Sequence, residues 1–163
     1  MIKVGFSTSD RWISKLIRYW TASPTSHAYI SYYDENLAQE MVLDVGFTTF
    51  SLVPMSTFEQ SNRIVEVFDP NVDMTTGVKV VARWLNRVSY DWFSFVGFWT
   101  VLKRWFKRTT VWAGDFNVTP KEVLCTEIVI YALRISGYPG AADLDPKGTS
   151  PKELLEFMKK GQQ

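Results

Sequence analysis

LCTEIVIYALRISG, residues 124–137, is the stretch from which the fold can be read outward. Cys125, Ile128, Val129, Ala132 and Leu133 recur at the three- and four-residue spacing of a helix with one apolar face, and Gly137 supplies a C-terminal stop. The spacing predicts a helix beginning around Leu124, with Cys125 in its first turn. A thiol placed there is favoured as the thiolate by the unpaired backbone N–H groups and by the helix dipole. Its own N–H has no intrahelical acceptor and is available to a developing oxyanion. The same position also suits an ordinary core residue, because free cysteine is among the most buried residue types.

A nucleophilic thiol needs a base, and the chain has a single histidine, His27. It opens HAYISYY (27–33), a run of β-formers that puts His27, Tyr29 and Ser31 on one face and Ala28, Ile30 and Tyr32 on the other. Upstream, IKVGF (2–6) reads as a strand. Ser9 or Asp10 is then placed to cap a helix with Trp12, Ile13, Leu16, Ile17 and Trp20 on one face, ending near Thr21, and SPTS (23–26) turns the chain. Downstream, DEN (34–36) is a hairpin-like break, followed by LAQEMVLDV (37–45) and, past Gly46, FTTFSLV (47–53). RIVEVF (63–68) is a further strand that stops at Asp69-Pro70.

The period then changes. Val78, Val81, Ala82 and Leu85 are spaced for a helix, and a second helical stretch runs from about Trp92 to Phe106. In SPKELLEFMKK (150–160), Ser150 as cap, Pro151 at the first helical position and Glu153 three residues after the serine make a capping-box start. Strands first and helices later predict an α+β domain.

At 163 residues the chain fits one domain, 1–163, with a substantial core. Its 7 Trp, 7 Tyr and 11 Phe exceed what one core of this size needs, so some are expected to line a cleft or an interaction surface. A net charge of +1 gives no field for gathering nucleic acid. One Cys excludes an intramolecular disulfide, and with one His it cannot supply the ligands of a structural zinc site. No signal-peptide pattern opens the chain and no run of 18 apolar residues occurs, so the expectation is a protein made and folded in the cytoplasm.

Four segments, taken in order, resemble the permuted branch of the NlpC/P60 superfamily, the YiiX/YaeF-like amidases. They are Ser9 to Ile30 ending in TSHAYI, Tyr90-Asp91 before WFSFVGF, LCTEIVIYALRISG, and DPKGTSPKELLEF (145–157). The resemblance implies a circularly permuted papain-like fold, a small antiparallel sheet packed against helices, with the chain order His, acid, Cys. It further implies that Cys125 is the nucleophile and His27 the general base of an acyl transfer to water through an acyl-enzyme, with no metal or cofactor. The substrate it implies is an amide, in a peptide or in peptidoglycan, and delivery by a phage or by lysis would reconcile a wall substrate with the missing secretion signal. Rivals on the same residues are a lipid-directed acyltransferase or thioesterase, and a silent module that binds its ligand in an aromatic cleft.

For the third member of the triad, Glu40, Val42 and Asp44 alternate onto one strand face. The family's acid lies a few positions before a Gly, here Gly46, which by register selects Glu40 and leaves Asp44 open. Either is also readable as a solvated edge-strand charge. Glu127 matches a family position to which no chemical role attaches. Finally, WFSFVGFWTVLKRWFKR (92–108) reads either as an interfacial helix that contacts a membrane surface or as a core helix with a solvated basic end.

Overall fold

The computed structural model describes residues 1–45, 50–84, 89–90 and 122–162. The aromatic-basic stretch 92–108, with the helix and the membrane contact expected of it, lies outside the described residues, as do Gly46, Leu85 and Asp91.

Strands β1 (Ile2–Thr8), β2 (His27–Asp34), β3 (Gln39–Val45), β4 (Phe50–Pro54) and β5 (Arg63–Phe68) form one sheet in the order β4-β3-β2-β1-β5. Every neighbouring pair in it is antiparallel. The break at DEN is an Asx turn: Asp34 Oδ1 accepts from the backbone N–H of Asn36 (3.0 Å) and Leu37 (3.1 Å). β5 ends at Phe68, directly before Asp69-Pro70. A two-residue parallel pairing joins β6 (Ser89–Tyr90) to β7 (Glu122–Val123).

The period of two divides the sheet's side chains between two clusters. Val4, Phe6, Ala28, Ile30, Leu43 and Val45 face the main core, where they meet α3 (Thr75–Ala82), α4 (Cys125–Ile135) and α5 (Pro151–Lys160). Each large apolar side chain buried there stabilises the fold by about 1.5–3 kcal/mol over leaving it in water. On the opposite face Tyr29 and Val42 pack with Phe58 of the single-turn helix α2 (Met55–Phe58). Tyr29 needs room there, and Gly5, its partner in the register, provides it: a Cβ on Gly5 would lie 2.0 Å from the phenol ring. Helix α5 starts as its sequence requires, with the Glu153 N–H on Ser150 Oγ and the Ser150 N–H on Glu153 Oε2. The architecture is therefore α+β, with a small antiparallel sheet and helices against it.

Helix α1 (Trp12–Thr21) differs from expectation at its start and on its face. Neither Ser9 nor Asp10 caps it. The N-cap is Arg11, with no side-chain cap bond, and the Ser9 N–H donates to Ser14 Oγ (3.0 Å) five residues on. Of the five residues expected on one face, only Ile13 and Ile17 are buried; Trp12, Leu16 and Trp20 point to solvent. The apolar arc is wider than the sheet can cover, and the half that docks is the one carrying Ser14.

Candidate active site

His27 is the first residue of β2, so its ring stands at the end of the sheet rather than along it. The Ile30–Leu43 pairing, continued along both strands, sets Tyr29 level with Asp44 and makes Asp44 the diagonal neighbour of His27 on the same face. His27 Nε2 lies 2.7 Å from Asp44 Oδ1. A carboxylate only accepts, so Nε2 carries the proton and donates it to Asp44, which leaves Nδ1 for another partner. That partner is Cys125, whose thiol and the His27 ring are hydrogen-bonded to one another. The only histidine and the only cysteine of the chain are thus brought together with one carboxylate.

Electrostatics shifts Cys125 and His27 in opposite directions, each towards its charged form. For Cys125, burial is the largest influence and would push the thiol up. It is outweighed by the positive charge of His27, by the hydrogen bond from that ring, and by backbone N–H groups of Ala28 and Thr126 directed at the sulfur, so its pKa falls below the ordinary 9.0. For His27, burial is again the largest single influence and would lower the value. The negative charges of Cys125 and Asp44 and their hydrogen bonds overcome it and raise the imidazole from 6.5 to about 10. Phe58 of α2 lies against the ring, centroids 6.1 Å apart, and keeps water from one side. Both shifts favour the thiolate and the imidazolium over the neutral pair, with Asp44 behind the ring.

Glu40 is not part of this group, and the register reading that placed it beside the imidazole is corrected. It does share the strand face with Asp44, but four residues away, a displacement of about 13 Å along a strand. There it accepts from Ser31 Oγ (2.9 Å) and has Lys3 Nζ at 3.6 Å, a partly exposed cross-strand trio on the far side of Tyr29. Asp44, held open in the sequence reading, occupies the position instead.

Two further features support the site. Glu127 is buried, and its Oε2 accepts from the Leu124 N–H (3.3 Å), while Tyr131 hydrogen-bonds to the same carboxylate. It caps and anchors the helix that carries Cys125; a Glu three residues after an N-cap position is the pattern that announces it. The second is a knot of buried hydroxyls. Ser14 Oγ lies 2.5 Å from Ser26 Oγ and 3.2 Å from Thr8 Oγ1, fastening α1 to the residue before His27.

Beside these hydroxyls a cleft of about 90 Å³ opens, lined by Arg11, Ser14, Ser26, His27, Asp44 and Asn62 among others. A larger cavity of about 300 Å³, between the start of β1 and α3, contains neither a nucleophile nor an imidazole; its Asp69 and Asp73 carboxylates accept from the N–H groups of Asn71 and Thr75. Among the described residues no group of three or more His, Cys, Asp or Glu is placed to hold a metal ion, and no helix is long and apolar enough to cross a membrane. No family model, no curated protein and no solved structure matches this chain.

Proposed function

We propose that this protein is a cysteine hydrolase of circularly permuted papain-like architecture, acting on an amide bond of a peptide or peptidoglycan-type substrate. The observation that carries the reading is the relay Cys125–His27–Asp44, in which His27 Nε2 lies 2.7 Å from Asp44 Oδ1 and Cys125 and His27 each shift the other towards its charged form. The order of the three residues in the chain and the Cys helix packed on an antiparallel sheet support the permuted NlpC/P60 resemblance. A silent binding module would have no use for a buried ion pair, because such a pair is costly to desolvate.

In the proposed reaction the Cys125 thiolate attacks the carbonyl carbon, and the oxygen takes the negative charge, with the Cys125 N–H at the helix start as one donor to it. The His27 imidazolium then gives its Nδ1 proton to the departing amine, leaving a thioester on Cys125. A water enters, His27 takes its proton, and the carboxylic acid departs as the thiolate is restored. Asp44 keeps Nε2 protonated throughout, so that Nδ1 is always the nitrogen facing the sulfur.

The test is a panel of peptide amide, ester and thioester substrates, with mass spectrometry of the quenched enzyme. The expected outcome is turnover with an acyl adduct on Cys125, lost by at least about 10⁴-fold in Cys125→Ala. Turnover that persists in Cys125→Ala, or a folded protein whose Cys125 resists iodoacetamide, overturns the assignment.

A further inference from the structure

Helix α1 has two unlike sides. Ile13, Ser14 and Ile17 are buried against the domain. Trp12 is 69% exposed, Leu16 42%, Tyr19 83% and Trp20 65%, the largest concentration of exposed apolar side chains among the described residues. At 100° per residue these four fall within one arc of about 100°. Lys15 lies next to the arc and is exposed, whereas Arg11 stands at the cleft and Arg18 is half-buried. Residues 11–22 contain these three cations and no acid, in a chain whose net charge is only +1.

We propose that α1 is a docking surface for an anionic lipid bilayer, lying in the plane of the interface with its aromatic arc among the headgroups and Lys15 against lipid phosphates. Charge and residue type together select this occupant. Trp and Tyr combine an apolar body with a polar tip and settle at the boundary between hydrocarbon and water. Lys15 beside them, in a helix without an acid, complements a surface of phosphates, and an amphipathic helix with this arrangement needs no groove on its partner. The inner side of the same helix lines the cleft at Arg11 and Ser14, so docking would set His27 about one helix diameter, roughly 10 Å, from the lipid. The inference stands apart from the chemistry of Cys125, because it concerns binding alone.

The test is co-sedimentation of the full chain with vesicles of phosphatidylcholine alone and of phosphatidylcholine mixed with an equal part of phosphatidylglycerol, at low and high salt. The expected result is partition onto the mixed vesicles that falls with salt. Trp12→Ser/Leu16→Ser/Trp20→Ser lowers that partition at least about tenfold, and Lys15→Ala lowers it about fivefold. Cys125→Ala binds as the parent does, which separates this result from any failure of the catalytic reading. Tyr19→Ser, at the most exposed position, serves if the triple variant does not fold. No partition by the parent, or partition unchanged in the triple variant, overturns the proposal; the second outcome would move the lipid contact elsewhere in the chain. A concentration-dependent dimer that the triple variant loses, without vesicle binding, would overturn it in favour of a second copy of the chain.

Discussion

Asp44 and Glu40 stand four positions apart on one strand face, and substitution separates them. Asp44→Asn removes the charge behind His27 and is expected to lower turnover by roughly 10²–10⁴-fold without unfolding the domain. Glu40→Gln, which loosens a partly exposed trio with Ser31 and Lys3, is expected to change turnover less than about twofold. The pH profile gives an independent reading. Iodoacetamide should alkylate Cys125 along a limb that rises below pH 9.0, the ordinary thiol value, and in Asp44→Asn this limb should move up towards 9.0 as the imidazolium weakens. Turnover should fall again as pH passes about 10, where His27 loses its proton. The stability linkage has opposite signs for the two groups. His27, raised in the folded chain, contributes fully below pH 6.5 and loses its contribution as pH rises through about 10; Cys125, lowered, contributes above 9.0 and loses its contribution as pH falls through its folded value. The pairing of His27 with Cys125 was legible because the chain has one of each. The choice of carboxylate was legible too, but only by counting from the DEN turn: a hairpin closing at 34–38 carries His27 past Glu40 and makes Asp44 its diagonal neighbour, whereas strand alternation alone permits either.

Among elements, the contact of α3 with α4 holds the helix that carries Cys125 in place. Gly77 in α3 approaches α4 so closely that a Cβ would meet the Ala132 carbonyl oxygen at 2.2 Å and Ser136 Oγ at 2.5 Å. Gly77→Ala must push the helices apart, and a cost of about 1–3 kcal/mol is expected in urea unfolding. Because Cys125 moves with α4, the same variant should alkylate more slowly than the parent under conditions where both are folded. The boundaries of β5 and of α5 followed from local chemistry, Asp69-Pro70 in one case and Ser150, Pro151 and Glu153 in the other. Helix α1 was placed correctly along the chain but rotated wrongly. An apolar arc that includes Trp12, Leu16 and Trp20 as well as Ile13 and Ile17 is wider than one docking face, and only the bond from Ser14 to Ser26 decides which part turns inward.

For the molecule as a whole, a main core fed by five strands and three helices predicts that 1–163 unfolds as one unit. Calorimetry should show a single transition with a heat-capacity change of about 2 kcal/mol/K, the value for a domain of this length. Two resolved transitions would divide the chain. The placement of His27 and Asp44 on adjoining strands within the first 45 residues, with Cys125 on a helix far downstream, also sets a timetable for synthesis. At ribosomal rates of roughly 5–20 residues per second, the β2–β3 hairpin emerges several seconds before the sulfur it will activate. A new chain therefore never carries an activated thiol in an unfolded state: until α4 docks, the cysteine keeps the sluggish reactivity of a free side chain, and oxidants and stray electrophiles meet a protonated sulfur. On the proposed reading, the hazard of making a strong nucleophile is confined to the moment when the fold is ready to shelter it.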